Sequence, residues 1–280
     1  MRSPQFAAAR GTGGARRGLA FYQVVLLLLA IGVAVWFVAR LSARRRTVAV
    51  TTGRTTVTGS GGPLDMPVKP VPAETTFLGC PPEGDRPPMG EFNRLKNRID
   101  EGPYRPVPFD TILQLPWPRS LDNVGARRVW SRADRAAVGR YEGIPISVEG
   151  YVAGAKVSGP ESPNCHGADP EMQDWHVWLS GSPGPDRTRS VVVETTPRVR
   201  ARHPEWTVAL LRRAGRDSVR VRIGGWLLLD PEHPEELGHT RGTLWEIHPV
   251  LRIEVQREGV WVPLESLRAA AREGRHRRPR

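Results

Sequence analysis

Cysteine is scarce in this 280-residue chain, which contains only Cys80 and Cys165. Two cysteines are too few for a zinc site built from paired CxxC motifs. The sequence also lacks a GxSxG segment, which excludes the nucleophile elbow of α/β-hydrolases. His166 follows Cys165, but the acidic residues around them raise a thiol pKa and disfavour a catalytic thiolate. A disulfide is expected if the domain lies outside the cytoplasm, and free thiols are expected if it does not.

A basic surface is also missing from the central part of the chain. The net charge is +12, but residues 1–74 contribute +8 of it and residues 263–280 contribute +4. The block 75–262 contains 25 basic and 25 acidic residues, so its formal charge is zero. Proteins that bind a nucleic-acid backbone carry clustered Lys and Arg on the folded domain. Nucleic acid is therefore disfavoured as a partner of the central block, and the basic tails suit anionic lipid headgroups.

Only one long hydrophobic run is present, the uncharged segment LAFYQVVLLLLAIGVAVWFVA at residues 19–39. A helix that crosses a bilayer needs about 20 apolar residues. A cleaved signal peptide has a shorter apolar core and a small-residue cleavage site, whereas arginines follow this run. We therefore predict a single-pass transmembrane helix after a basic N-terminal tail, 1–18. Arginines are equally numerous on both flanks, so the orientation is inferred from the linker, which favours a domain outside the cytoplasm.

Four segments follow the predicted membrane helix. Residues 40–76 are rich in Thr, Gly and Pro and have no apolar period, which is typical of a linker. Residues 77–143 contain short helical patterns, one of them with Ser131 as its predicted N-cap, and we interpret them as an N-terminal extension packed on a barrel. Residues 144–262 are assigned to the barrel, and residues 263–280 to a basic C-terminal tail.

Alternation of apolar and polar residues predicts five strands, with one helix between the third and the fourth. The predicted helix covers residues 203–215, and the strands cover residues 144–157, 175–181, 190–196, 219–230 and 243–255. Gly150, Gly224 and Gly225 fall inside strand patterns, where glycine typically marks a bend or a bulge.

The order β-β-β-α-β-β resembles the OB-fold, a five-stranded Greek-key barrel. The segments GCPPEG, DWHVWL and TLWEIHPV also resemble those of a family of bacterial membrane-anchored proteins. This second resemblance implies no activity. The predicted fold class is therefore mainly β: an OB-fold-like barrel with an N-terminal extension and one transmembrane helix.

The resemblance to the OB-fold implies that ligands meet the outer face of strands two and three and two flanking loops. The first acidic loop, 157–174, carries four acids and no base, and the second acidic loop, 230–242, carries four acids and one arginine. This acidic loop edge repels a nucleic-acid backbone and suits a cation, a basic protein or a metal. Alternation places His176 and Trp178 on the ligand face unless the extension covers them. The candidate ligand-binding residues are His176, Trp178, Glu194 and Arg241.

The same loops contain potential metal ligands. Zinc requires three or four nitrogen, sulfur or oxygen ligands. The loop residues that could supply them are His166, Asp169, Asp174 and His239. No two of these residues have a diagnostic spacing, so solvated loop residues are the competing interpretation. The sequence thus predicts no obligatory cofactor, and a divalent metal is the candidate.

These features favour a membrane-anchored binding or scaffolding module that acts through the acidic loop edge of the barrel. The first alternative is a metal-dependent hydrolase that uses the loop His and Asp residues. The second alternative is an OB-type nucleic-acid binder. The expected partners are the membrane, through the anchor and its arginine-rich flanks, and a cationic protein or ligand.

The orientation can be tested through the cysteines. For a domain outside the cytoplasm, we expect a non-reducing peptide mass map of protein from native membranes to recover Cys80 and Cys165 as one linked peptide pair. Recovery of both as free thiols would favour the cytoplasmic orientation instead.

Overall fold

The computed structural model describes residues 64, 66–72 and 75–268. Within these ranges no helix is long and apolar enough to cross a bilayer. The predicted N-terminal tail and transmembrane helix, residues 1–39, lie outside the described residues. So do most of the predicted linker and the part of the predicted C-terminal tail after residue 268.

Strands dominate the described part of the chain. The strands are β1 (Arg105–Val107), β2 (Pro145–Val157), β3 (Trp175–Ser180), β4 (Val191–Thr195), β5 (Arg220–Leu229), β6 (Trp245–Arg257) and β7 (Val260–Pro263). The α-helices are α1 (Gly90–Lys96), α2 (Phe109–Leu113), α3 (Arg132–Val138), α4 (Pro197–Arg200) and α5 (Val208–Arg216). The five predicted strands correspond to β2 through β6, each within a few residues.

Five of these strands close into a barrel. β2 pairs antiparallel with β3 and with β5, β3 pairs with β4, and β5 pairs with β6. The circuit closes where β4 and β6 run parallel, with Val193 opposite Ile247. β1 and β7 add to the outside of β2 and β6. The prediction of a mainly β fold with a five-stranded barrel is confirmed.

β2 pairs with two different barrel strands because it bends at Gly150. The residues before the bend pair with β5 and those after it pair with β3, and Tyr151 pairs with both Arg220 and Ser180. A Cβ atom on Gly150 would lie 2.6 Å from the carbonyl oxygen of Ser180, so a larger residue cannot fit. The predicted bend in β5 is also present, because the register with β6 shifts at Gly225.

The barrel interior is filled by aliphatic side chains from alternate strand positions. They include Ile146, Val148, Val177, Leu179, Val193, Ile223, Ile247 and Ile253. Helix α5 packs on β2 through Leu211 and Ala214, both fully buried. The prediction that this helix begins at residue 203 is wrong. It begins at Val208 because Thr207 is its N-cap, accepting a hydrogen bond from the Leu210 amide.

Two buried arginines hold the N-terminal extension on the barrel. The Arg98 guanidinium lies 3.4 Å from the ring centroid of Trp226 and donates two hydrogen bonds to Asp100. Arg127 donates to the carbonyl oxygen of Leu229 at 2.6 Å. Both arginine side chains are 1% exposed, so these contacts form in a low-dielectric interior.

A disulfide adds a covalent connection between the extension and the barrel. It joins Cys80 to Cys165 in the first acidic loop, and the two Cα atoms are 5.8 Å apart. Farther along the extension, Ser131 caps α3 by accepting a hydrogen bond from the Asp134 amide, at the position that the sequence predicts.

Both ends of the folded part reach beyond the predicted boundaries. In the predicted linker, the Lys69 amide donates to the carbonyl oxygen of Gly143 at 3.1 Å. In the predicted C-terminal tail, Leu264 and Leu267 are buried in the main core. The folded part thus includes the first residues of the predicted tail, because these leucines bury apolar surface.

The contact between α5 and β2 predicts that a glycine-to-alanine substitution in the helix destabilises the protein, which is opposite to its usual effect. Replacing glycine by alanine inside a helix usually stabilises a protein by about 0.5–1 kcal/mol. A Cβ atom at Gly215 of α5 would lie 2.4 Å from the carbonyl oxygen of Val152. We therefore expect Gly215→Ala to lower the free energy of unfolding by about 1–3 kcal/mol in urea denaturation, because the helix must move off the strand.

Gly159→Ala is the matched control, because no atom lies within 4 Å of the added Cβ there. Its free energy of unfolding should stay within about 0.5 kcal/mol of the parent. A stabilised Gly215→Ala variant would contradict the close packing of α5 on β2.

Candidate functional site

Four ionisable residues meet on the outer face of the barrel wall, where β4 and β6 run side by side. Glu194 comes from β4, Glu246 and His248 come from β6, and Asp174 ends the first acidic loop. All four are at most 5% exposed. We call them the carboxylate–histidine cluster.

The alternation of β6 explains why polar side chains reach this position. Trp245 and Ile247 point into the barrel and are fully buried. Glu246 and His248 occupy the opposite face, as a barrel strand with a polar outer face requires. That face does not contact solvent, since the extension packs over it through α1.

His248 lies between three carboxylates. Its Nε2 atom is 3.4 Å from Asp174 Oδ2, and its Nδ1 atom is 3.4 Å from Glu194 Oε2 and 3.7 Å from Glu246 Oε2. These separations exceed the 2.7–3.2 Å of a normal N–H···O hydrogen bond. Burial lowers the pKa of His248, but the neighbouring carboxylates outweigh burial and raise the pKa to about 10. In the protein alone, the ring is therefore the cation among these acids.

Other side chains orient the carboxylates of the cluster. His176 Nδ1 lies 2.5 Å from Glu194 Oε1. Burial raises the pKa of Glu194, but His176 and His248 outweigh this effect and lower it to about 2. Arg241 donates to Glu246 Oε1 at 2.8 Å, and the Asn164 amide donates to Asp174 Oδ1 at 2.8 Å. Each carboxylate thus has one oxygen held by the protein.

A second buried ion pair lies beside the cluster, between the extension and the second acidic loop. Lys96 Nζ from α1 is 2.9 Å from Asp230 Oδ2, and both side chains are almost fully buried. Burial lowers the pKa of Lys96, but Asp230 and Glu161 outweigh it and raise it well above its ordinary value. Burial has the opposite effect on the carboxyl group of Glu161 and raises its pKa to about 8. Lys96 and Glu161 also line a cavity of about 280 Å³ at this seam.

Several atoms of this region are buried without a hydrogen-bond partner among the described residues. They are Asp174 Oδ2, Glu246 Oε2, His176 Nε2, and both ring nitrogens of His248. Native proteins leave few such atoms, since each costs about 1–3 kcal/mol. They are concentrated at one position, where the carboxylate oxygens and the ring nitrogens of His248 lie at ion-pair distances of 3.4 to 3.7 Å from one another.

A divalent metal ion fits this donor set. One donor atom each from Asp174, Glu194 and His248 can be chosen so that all lie within 4.8 Å of one another. Imidazole nitrogens and carboxylate oxygens are both zinc ligands in proteins. Bonds of about 2.0–2.2 Å in a tetrahedral site place ligand atoms about 3.3–3.6 Å apart. The 3.4 Å separation between His248 Nδ1 and Glu194 Oε2 matches this spacing, whereas the 3.4 Å contact of Asp174 Oδ2 is with the other ring nitrogen, Nε2.

The candidate ligand-binding residues do come together, but not on an open surface. His176, Trp178 and Glu194 share the outer face, and the rings of His176 and Trp178 are 4.4 Å apart. All three are less than 9% exposed. Arg241 joins the same region through Glu246 and also bonds Glu236 at 3.0 Å.

The structure does not bring the four candidate metal ligands together in one site. His166 pairs with Asp85 at 2.7 Å and is half exposed. Asp169 accepts a hydrogen bond from the Glu171 amide and caps a short turn. His239 is exposed in the second acidic loop. Only Asp174 belongs to the group of donors that the fold brings together.

The candidate site residues chosen from the sequence do not include His248 and Glu246. Both lie in the segment TLWEIHPV, where alternation predicts only a polar outer face of a strand. The missing signal is the parallel pairing of β4 with β6, which brings Glu194 to these residues across a large sequence separation.

Comparison of the sequence with protein-family models and with curated proteins finds no match.

The Lys96–Asp230 pair predicts a large stability effect. Lys96→Met leaves a buried carboxylate without its cation, and we expect a loss of about 3–5 kcal/mol in the free energy of unfolding, measured in urea. The double variant Lys96→Met/Asp230→Asn removes both charges and should recover most of that loss.

Arg94→Met on the same helix is the control. Arg94 pairs with Glu83 at the surface, where its side chain is 43% exposed. Its loss should cost less than about 1 kcal/mol. A double variant no more stable than Lys96→Met would show that lost packing, and not an unpaired charge, causes the effect.

Proposed function

We propose that this chain is a single-pass, membrane-anchored binding module of the OB-fold type whose acidic loop edge holds a divalent cation. The unpaired donor atoms of the carboxylate–histidine cluster carry this proposal. A cation there would be held by Asp174, Glu194 and one ring nitrogen of His248, and of these atoms Asp174 Oδ2 and the ring nitrogens have no hydrogen-bond partner among the described residues. Because Asp174 ends the first acidic loop, the cation would also fix that loop to the barrel wall.

The strand order supports the OB-fold part of the proposal. Its three-strand meander is followed by a helix and an antiparallel pair, and β4 meets β6 in parallel. OB-folds bind ligands on the face of the second and third strands and in two flanking loops. Here the cluster occupies part of that face, and the two acidic loops border it.

A binding role fits the cluster better than hydrolysis does. A hydrolytic metal needs a coordination position that water and substrate can reach. Asp174 and His248 are fully buried, and Glu194 is 5% exposed. A closed site of this kind suits an ion with a structural or regulatory role.

The membrane part of the proposal is supported by the sequence. The uncharged run at residues 19–39 has the length of a bilayer-spanning helix. The disulfide between Cys80 and Cys165 is consistent with an oxidising compartment and thus with a domain outside the cytoplasm.

The cation site predicts a defined metal stoichiometry. Purified full-length protein, dialysed against Zn²⁺ or Mn²⁺ and freed of excess ion, should retain about one metal ion per chain in elemental analysis. Removing the ion with a chelator should lower the melting temperature, because a ligand that binds only the folded state stabilises it. At a free ion concentration of 100 Kd, the gain is about 2.7 kcal/mol.

Variants decide where the ion binds. Asp174→Asn and His248→Gln should each weaken metal binding by at least about tenfold. His239→Gln, which changes an exposed histidine of the second acidic loop, should bind as the parent does. Folded protein without stoichiometric metal at saturating ion would refute the proposal and leave the His248 imidazolium as the cation of the cluster.

A further inference from the structure

A pocket lies between β2, helix α5 and the turn that joins β3 to β4. Its volume is about 480 Å³, within the range of small-molecule sites. The β2 wall is built from the small residues of the segment Val152 to Ala155, and the opposite wall includes Gly184 and Gly215.

All the charged residues that line this pocket are arginines, namely Arg187, Arg212 and Arg216. Among the described residues, no carboxylate lies within ion-pair distance of any of them. The pocket is therefore a local excess of positive charge in a block whose formal charge is zero.

Arg187 is held in place by its surroundings. Its guanidinium stacks on the Trp178 ring, with 3.9 Å between the guanidinium carbon and the ring centroid. Gly154 makes room for it, because a Cβ atom there would lie 2.5 Å from a guanidinium nitrogen. Arg187 is half-buried, so its donors are partly shielded from water and have lost part of their rotamer freedom.

Arg212 is also oriented by the barrel. Its Nε atom donates to the carbonyl oxygen of Ala155 at 2.8 Å. This bond directs the guanidinium toward β2 and leaves its two terminal nitrogens without a bonded acceptor among the described residues. Two oriented guanidinium groups from different elements thus border one cavity.

A simpler explanation applies to part of this set. Arg216 lies in the last turn of α5, where a cation interacts favourably with the helix dipole. That explanation does not reach Arg187, which belongs to the turn between β3 and β4. It also gives no reason for the glycine that clears space for the Arg187 side chain.

We infer that this pocket binds a phosphate-type oxyanion. Guanidinium groups bind phosphate through paired charge-assisted hydrogen bonds, for which their planar fork is suited. The site is separate from the carboxylate–histidine cluster and does not depend on a bound cation there. The oxyanion can come from two sources, the headgroup of an anionic phospholipid or a soluble phosphate ester.

The test uses full-length protein in phosphatidylcholine nanodiscs, with inorganic phosphate and glycerol 1-phosphate as probes in calorimetric titrations at constant ionic strength. The parent protein should bind both probes saturably. Arg187→Gln and Arg212→Gln should each weaken binding by about tenfold, the effect of losing one charge-assisted hydrogen bond. Arg220→Gln removes an exposed arginine that pairs with Glu149 outside the pocket, and it should bind as the parent does.

The lipid composition distinguishes the two sources. If phosphatidylglycerol in the nanodisc weakens the binding of inorganic phosphate in the parent but not in Arg187→Gln, the lipid headgroup occupies the pocket. If phosphatidylglycerol has no effect on the parent, a soluble phosphate ester is the ligand. The inference is overturned if the parent shows no saturable binding, or if Arg187→Gln binds both probes as tightly as the parent while retaining its melting temperature.

Discussion

Burial of charge between the barrel wall and the N-terminal extension is the constraint on which this structure depends. A charged side chain taken out of water must find a partner there, and that requirement fixes the elements that supply both members of the pair. Lys96 ties α1 to the second acidic loop through Asp230, and Arg241 ties that loop to β6 through Glu246. Some of the acidic residues of the acidic loop edge are thus already engaged in buried ion pairs within the fold.

The same constraint explains why a chain with so many arginines has a neutral central block. Arg98 and Arg127 are interior residues that replace aliphatic packing with stacking on Trp226 and Phe92 and with hydrogen bonds to carboxylates and backbone carbonyls. Where that pairing is incomplete, the structure has candidate sites. One has carboxylates and imidazoles in excess, and the other has guanidinium groups in excess.

Local patterns in the sequence were sufficient to predict the strands of the barrel. Alternation located β2 through β6, Gly150 marked the bend that lets β2 pair on two sides, and Ser131 marked the start of a helix. The site was less predictable because its members are brought together by pairing between distant segments. Nothing near His248 indicates that Glu194 will lie beside it, and nothing in DWHVWL indicates that a lysine from α1 will help cover that face. Loop histidines were favoured because loops usually carry function, whereas the cluster is built mainly from strand residues.

Because the extension docks on the barrel, its contacts can form only after the barrel strands have been synthesised. The extension leaves the ribosome before every barrel strand, but its partners lie in the last strands to be made. Arg98 must wait for Trp226, and the Pro116 carbonyl must wait for the Trp245 indole. Until β6 has been synthesised, arginine and aromatic side chains that are buried in the folded protein remain exposed to water. Such a partly synthesised chain exposes surface that favours aggregation, which is the situation in which chaperones act.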